Sequence, residues 1–315
     1  MSAPAAAPSV ATVPGGTAAK VALILLIGLF WGGNWPAVKT VLFEVPPVTL
    51  RAVGFTTGAV VLLAWARARG LALRVPAGEV PWLAATGLLN ILAFNLCTAF
   101  AQLMMPTSRA AIIAFTMPVW ATLLAIPLLG ERPGMRQAIG LALGMAGMVV
   151  LLGPEALRGG GDRLLGPFLV LVAAVSWALG TVLMKRRGRW ASHVVVVTGW
   201  QYALAALPMV ALAAALDDAP TPGSWHLPTW IGLGYHLVFA ICIAQMLWFV
   251  IVARLTVGQA TVATLIIPVV GVSGSILILG DPLTVRVLAA LVLVVSSVAF
   301  VMVRRRPAAA RGQDA

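Results

Sequence analysis

Residues Met117–Gly140 read MPVWATLLAIPLLGERPGMRQAIG, and a shift of 150 positions aligns them with IPVVGVSGSILILGDPLTVRVLAA, residues Ile267–Ala290. Matched positions carry the same residue or the same sign of charge: Pro118 and Pro268, Gly130 and Gly280, Glu131 and Asp281, Arg136 and Arg286. A coincidence of helix packing would not give all these matches in one order. The sequence therefore predicts two related halves, which we place at residues 20–155 and 160–303.

The composition excludes a soluble domain. The chain is 61% hydrophobic and 10% charged over 315 residues, with a mean hydropathy of +1.02, so too few polar side chains remain to cover a water-exposed surface. A helix needs about 20 apolar residues to cross the hydrocarbon core. Ten such segments are predicted, at residues 20–42, 47–66, 80–103, 108–129, 134–152, 165–184, 194–216, 229–252, 258–280 and 284–303. The predicted fold class is an all-α integral membrane protein of ten transmembrane helices.

Five segments per half is an odd number, so the second half is expected to be inverted in the membrane. The second loop of half one carries Arg67, Arg69 and Arg74, whereas its counterpart in half two carries Asp217 and Asp218. With a cytoplasmic N-terminus, 15 of the 21 Lys and Arg residues lie in the cytoplasm, as the positive-inside rule requires. We therefore expect both termini in the cytoplasm. Inverted repeats predict a central cavity near the midplane, between the two halves.

The two ends of the chain have a different composition from the apolar segments. Residues 1–19 are rich in Ala, Pro and Gly, and residues 304–315 are rich in Arg and Ala. Neither stretch has enough apolar side chains to bury. We expect a disordered N-terminal tail and a basic cytoplasmic C-terminal tail.

Two further stretches carry a family resemblance: FWGGNWPAVK at Phe30–Lys39 and PPVTLRAVGF at Pro46–Phe55. Together with the repeated stretches they resemble the EamA-type branch of the drug/metabolite transporter superfamily, over nearly all of residues 20–303. The resemblance implies a ten-helix bundle in the inner membrane that exports small metabolites, with neutral and aromatic amino acids as the leading substrates. The motifs do not specify a substrate, so a nucleoside, a sugar or a drug-like compound remains an alternative.

Polar groups within the first segment are candidate substrate contacts, because an unpaired amide in hydrocarbon is costly. Trp31 and Asn34 lie within one helical turn of each other, so an aromatic ring and an amide can share one side of the helix. Trp177, the repeat mate of Trp31, and Trp248 would add aromatic walls for an apolar side chain. The alternative is that the tryptophans form an interfacial belt.

The third and eighth segments supply the other candidates. Asn90, Asn95 and Thr98 lie in the third segment, and Tyr235 and Gln245 lie in the eighth. Gln245 is the repeat mate of Asn95, so two amides at equivalent positions could bind the amino and carboxylate groups of a zwitterion. The alternative is an ordinary hydrogen bond between helices, worth about 0.6 kcal/mol in membrane proteins.

Pro118 and Pro268 lie at matched positions in the middle of segments four and nine. Proline in a helix interior removes a hydrogen bond and bends the helix, so this pair could supply the hinges of alternating access. Static kinks are the competing interpretation. His236 is interpreted as a structural residue near a helix end rather than a proton carrier.

The absence of acidic residues within the segments limits the possible coupling mechanisms. No Asp or Glu falls in the middle of a segment, which disfavours cation export and carboxylate-based proton coupling. Facilitated diffusion is therefore the default. Lys39 and Arg51 could bind an anion, but we expect both side chains to extend towards the membrane interface.

Other function classes lack their motifs. The sequence holds no HExxH, Walker, GxSxG or CxxC pattern, so we predict no enzyme activity, no metal and no cofactor. The net charge of +12 follows the membrane topology, so no nucleic-acid partner is expected. The expected partners are a small-molecule substrate and the lipid bilayer, with a monomer favoured. A channel is the rival class, since a carrier saturates and shows counterflow.

Overall fold

The structure, a computed structural model, describes residues 17–157, 161–218, 221–255 and 257–302. The predicted disordered tail at 1–19 lies outside these ranges except for its last three residues, Thr17–Ala19, which begin the first helix. The predicted basic tail at 304–315 lies wholly outside them.

Within these ranges every regular element is a helix. Nine helices are long and apolar enough to cross a membrane, by length and composition. In chain order, with the number α9 kept for a tenth helix described next, they are α1 (Ala18–Val41), α2 (Pro47–Ala68), α3 (Ala77–Met104), α4 (Thr107–Leu129), α5 (Met135–Gly153), α6 (Leu164–Arg187), α7 (Val194–Leu216), α8 (Leu227–Ile251) and α10 (Val285–Met302). The helix α9, Val257–Leu279, includes the apolar stretch Thr264–Leu279.

Several of these helices are not regular along their whole length. The α-helical turns of α3 give way to a π-helix at Gly87–Ala93, and those of α8 give way to a π-helix at Tyr235–Ile243. The wider turn leaves backbone groups unpaired and is frequent at functional sites. Both π segments directly precede an amide predicted to bind substrate, Asn95 or Gln245.

The helix α4 is broken in its middle. One piece spans Thr107–Ala114 and the next Met117–Leu129, so Pro118 lies in the first turn of the second piece. Proline is tolerated there because its missing N–H has no helical acceptor to bind. Its repeat mate, Pro268, lies inside the continuous helix α9.

The helices pack in pairs across the predicted boundary between the halves. The pairs α2–α7 and α5–α10 make extensive contacts, and α1 packs on α9 as α4 packs on α6. Further, α3 contacts α6 and α7, while α8 contacts α1 and α2. If each helix is exchanged for its repeat mate, α1 for α6, α2 for α7 and so on, the same set of contacting pairs results.

Helices α4 and α9 end in the same way. Gly130 and Gly280 follow them with φ of 68° and 71°, in the left-handed region that glycine adopts without a Cβ clash. The next residue in each case, Glu131 or Asp281, donates its amide to a carbonyl one and a half turns back. Both helices therefore end in the same type of glycine cap.

Carboxylates join the α2–α7 pair at both of its ends. Next to the start of α2, Asp217 Oδ2 accepts hydrogen bonds from the Thr49 amide (3.0 Å) and hydroxyl (2.6 Å). Before the start of α7, the buried Glu79 accepts four hydrogen bonds from Arg187, Ala191 and Ser192. Glu79 lies in the first turn of α3 and binds donors at the end of α6 and just before α7, whereas Asp217 directly follows α7 and binds donors in the first turn of α2.

Glu44 and His226 form an ion pair at the end of the bundle that also holds Asp217. The hydrogen bond from His226 lowers the pKa of Glu44 to about 2, from an ordinary value of 4.5. The same bond raises the pKa of His226 above 6.5. The pair joins the loop after α1 to the first residue before α8.

We expect this pair to make stability depend on pH. A raised His226 pKa stabilises the fold fully below 6.5, and this contribution is lost as pH rises through the folded value. A lowered Glu44 pKa stabilises above 4.5, and this contribution is lost as pH falls towards 2. The Tm should therefore fall as the pH rises from below 6.5 through the raised pKa of His226, and Glu44→Gln should reduce that fall. An unchanged fall in the variant would assign it to other groups.

Candidate functional site

A polar cluster, here called the Arg51 cluster, joins four helices. His236 Nδ1 on α8 lies 2.7 Å from Asn34 Oδ1 on α1, and Arg51 Nε on α2 donates to the Asn95 carbonyl on α3 at 2.9 Å. His236 Nε2 faces Gly54, one turn along α2 from Arg51. The cluster therefore places two predicted site residues, Asn34 and Asn95, beside two residues that were not predicted to bind substrate.

Arg51 does not extend to the membrane interface, so that prediction is wrong. Only 2% of its surface is exposed, because its position in the second turn of α2 aims the side chain between helices. Among the described residues its side chain makes one hydrogen bond, from Nε to the Asn95 carbonyl, and no described carboxylate forms a salt bridge with it. Its two terminal nitrogens thus make no hydrogen bond within the described part of the chain.

His236 also differs from its predicted setting. It lies in the π-helical segment of α8, away from the helix ends, and is buried. Its Nε2 is buried without a hydrogen-bond partner and faces Gly54 of α2, where an added Cβ would come within 3.0 Å. The ring therefore has one bound nitrogen and one that is unpaired.

The contacts of the aromatic candidates lie between α1 and α8. Trp31 donates its ring N–H to the Ala240 carbonyl at 3.2 Å and packs on Trp248 with ring centroids 5.5 Å apart. Tyr235 donates its hydroxyl to the Leu29 carbonyl at 2.8 Å. Trp31, Asn34, Tyr235 and Trp248 therefore belong to one interface.

A second group lies between α3 and α6. Trp177 packs edge-on against Phe94 with centroids 4.9 Å apart, and Ser176 donates its hydroxyl to the Leu89 carbonyl at 2.9 Å. Asn90 is buried and its Oδ1 has no partner, while Thr98 is buried and donates to the Asn95 carbonyl. The α3–α6 interface is the counterpart of the α8–α1 interface.

The two amides predicted to bind a zwitterion are both partly exposed. Asn95 Nδ2 donates to the Ile91 carbonyl one turn back, at 2.8 Å, which leaves its side-chain oxygen available. For Gln245 no side-chain hydrogen bond to another described residue is found. No hydrogen bond joins the two amides in the described part of the chain.

An open apolar groove of about 310 Å³ lies between α2 and α8. Its lining is Val61, Trp65, Cys242, Ile243, Met246, Leu247 and Val250. The groove is not the polar central cavity that the sequence predicts, and that cavity stays a prediction. Among the described residues no group of three His, Cys, Asp or Glu side chains could hold a metal ion.

The sequence contained one signal for the Arg51 cluster. Arg51 stands within an apolar segment with no acidic residue in the same segment, so a buried cation there would need an anion from elsewhere. The direction of its side chain depends on how α2 packs against α3 and α8, which the sequence does not specify. His236 could not be placed for the same reason.

Comparison with known proteins gives consistent matches. The model of the EamA-like transporter family matches residues 19–153 and again residues 164–303. The chain is 29% identical over 279 residues to the uncharacterized transporter YvbV of Bacillus subtilis (strain 168), covering 89% of this chain and 90% of that protein. It is 26% identical over 278 residues to a probable amino-acid metabolite efflux pump of Escherichia coli (strain K12), covering 83% and 87%.

Two further matches concern location and fold. The uncharacterized inner membrane transporter YedA of Escherichia coli (strain K12) is 26% identical over 245 residues, covering 78% of each chain. A solved crystal structure aligns with a TM-score of 0.63 at 24% identity, covering 90% of this chain and 96% of the other. The structural likeness concerns the fold alone.

Proposed function

The chain belongs to the EamA-like transporter family, and from that premise we propose that it exports small neutral metabolites, with neutral and aromatic amino acids as the leading substrates, across the bacterial inner membrane by alternating access and facilitated diffusion. It is a multi-pass membrane transporter whose family and relatives indicate transport rather than enzyme catalysis. The observation that carries the proposal is the double match of the family model to 19–153 and 164–303. The efflux-pump name of one relative favours amino acids as the substrate.

We further propose ten membrane-spanning helices in two inverted halves, with α9 as the ninth span. Three observations support the repeat: the helix pairs that survive exchange of the halves, the π segments of α3 and α8, and the matched glycine caps after α4 and α9. In this arrangement the halves exchange roles as the cavity opens to one side and then to the other.

The charges support an orientation. The end of the bundle near Glu79 and Arg187 also carries Lys185 and Arg186, whereas the opposite end carries the Glu44–His226 pair. By the positive-inside rule the first end faces the cytoplasm. Both termini are then cytoplasmic.

The substrate site is proposed at the interface of the halves. Its proposed contacts are Trp31, Asn34, Asn90, Asn95, Thr98, Trp177, Tyr235, Gln245 and Trp248. The two aromatic interfaces, α1–α8 and α3–α6, would form opposite walls, with the amides of Asn95 and Gln245 between them. Pro118 and Pro268 are the proposed hinges, and the break at Phe115 and Thr116 supports the first of them.

Counterflow in proteoliposomes tests the proposal. Vesicles preloaded with one unlabelled neutral amino acid should take up a labelled one saturably, because a carrier exchanges substrates and a channel does not. Asn95→Ala with Gln245→Ala should lower uptake about tenfold or more if both amides bind the zwitterion. Uptake without saturation would identify a channel, and counterflow only with nucleosides or sugars would replace the amino-acid assignment.

Two further variants complete the experiment. Thr181→Ala is a matched control, because Thr181 is exposed and its hydroxyl bonds only within its own helix, so uptake should stay unchanged. Unchanged counterflow rates in Pro118→Ala with Pro268→Ala, at normal expression, would remove the hinges from the proposal.

A further inference from the structure

Arg51 is a buried cation without a described counter-ion. The residue is 2% exposed and its guanidinium donates one hydrogen bond, from Nε to a main-chain carbonyl. Guanidinium groups stay protonated in proteins, and an uncompensated charge within a membrane protein is strongly unfavourable. A bound anion would relieve this cost.

The positions that the repeat makes equivalent to Arg51 and His236 hold a neutral pair, again with one residue from each half. The shift of 150 positions aligns Arg51 with Gln201 and His236 with Thr86. Gln201 Nε2 donates to Thr86 Oγ1 at 2.7 Å, so both groups have partners. Arg51 and His236 form no such bond, and His236 Nε2 is buried without a partner. Gln201 and Thr86 are therefore a neutral, hydrogen-bonded pair, whereas Arg51 and His236 carry a positive charge and have nitrogens without a hydrogen-bond partner.

The surroundings of Arg51 fit a carboxylate ligand. The guanidinium presents donors in a planar fork that matches a carboxylate in two-point fashion. Its Nε binds the Asn95 carbonyl on α3, and His236 on α8, which pairs with Asn34 on α1, faces Gly54 one turn further along α2. An amino acid whose carboxylate binds Arg51 would therefore lie on the side of α2 that faces α3 and α8.

We propose that Arg51 binds the carboxylate of the transported molecule, and that this contact selects amino acids over nucleosides and sugars. The inference rests on the proposed transport function and adds the chemical class of the substrate to it. Arg51 acts as a binding residue. Without substrate, a small anion such as chloride could occupy the same place, and the experiment separates the two.

Ligand-induced stabilisation of the purified full-length protein tests this directly. The probes are L-phenylalanine and L-phenylalaninamide, which share the amine and the ring but differ in the carboxylate, added to protein in chloride-free detergent buffer. The wild type should show a saturable rise in Tm with the acid and bind the amide about tenfold more weakly or worse, as expected for loss of a charged hydrogen bond. Arg51→Gln should lose the preference for the acid.

Three variants make the result interpretable. Arg67→Gln makes the same substitution at an exposed position of α2 and should behave as the wild type. Arg51→Lys keeps the charge but not the fork, so its preference for the acid should be weaker than that of the wild type but present. If Arg51→Gln does not yield monodisperse protein, Arg51→Lys and the comparison of acid with amide in the wild type decide the question.

Several outcomes would overturn the inference. Equal binding of the acid by wild type and Arg51→Gln would remove Arg51 from the site, and intact counterflow of amino acids would leave the proposed function standing. An Arg51-dependent rise in Tm with sodium chloride, but with no carboxylate, would identify an ion site only. No rise with either probe, alongside counterflow of an uncharged metabolite, would refute both carboxylate recognition and the amino-acid assignment.

Discussion

Glu79→Ala should lower the Tm of the purified protein by about 5 °C or more and reduce the yield of monodisperse protein. Glu79 is 2% exposed and accepts hydrogen bonds from Arg187 Nη2 (3.1 Å), the Ala191 amide (2.6 Å), the Ser192 amide (3.3 Å) and the Ser192 hydroxyl (2.7 Å). Alanine would leave all four donors without their acceptor. The Arg187 side chain is 26% exposed and can be partly solvated, so the main cost is the loss of the acceptor for the Ala191 and Ser192 donors.

The size of this effect follows from what Glu79 connects. Its carboxylate joins the first turn of α3 to the end of α6 and to the segment that leads into α7. Since α7 packs along α2, loss of the carboxylate removes the hydrogen bonds that hold one end of the α2–α7 pair. Asp217 does the equivalent work at the other end of that pair with only two hydrogen bonds, so Asp217→Ala should have a smaller effect.

A control and a milder variant define the measurement. Glu131→Ala removes another paired acid, but the Glu131 and Lys185 side chains are 43% and 58% exposed, and exposed pairs contribute little. Glu79→Gln keeps the shape and should fall between wild type and Glu79→Ala. Equal Tm values for Glu79→Ala and Glu131→Ala would contradict the assignment of Glu79 as a structural connection between α3, α6 and α7.

The membrane-spanning segments could be predicted from the sequence because apolar length alone determines them. Nine predicted segments agree with α1–α8 and α10 to within three residues at each end. The hydrogen bonds accepted by Glu79 and Asp217 could not be predicted, because each set depends on which helix ends meet in three dimensions. The break in α4 was also missed, since Pro118 and Pro268 look equivalent in sequence and differ only in their helical context.

The substrate role of the chosen residues stays a prediction. Trp31, Tyr235 and Trp248 make contacts between α1 and α8, and Trp177 makes one between α6 and α3. Arg51 was expected to reach the interface, because a long cation near a helix end normally does so. The close approach of α2 to α8, made possible by Gly54 against His236, buries both side chains instead.

Gly32→Val should prevent correct packing of α1 on α9. A Cβ at Gly32 would lie 2.8 Å from the Ile267 carbonyl oxygen and 2.6 Å from Val270 Cβ. The carbonyl belongs to a helix backbone and cannot rotate away, so α1 and α9 would have to separate. Overpacking of this kind costs about 3 kcal/mol, and we expect little monodisperse protein and no counterflow.

Gly234→Val is the matched control for Gly32→Val. Gly234 lies in a helix of the same membrane bundle, but no neighbouring atom lies within 4 Å of an added Cβ, so the substitution changes helix propensity without a clash. Gly28→Val should have an intermediate effect, because its close contacts are with the Ile266 side chain, which can change rotamer. Normal expression and counterflow of Gly32→Val would mean that α1 and α9 tolerate separation, and the contact between them would then be one that opens during transport.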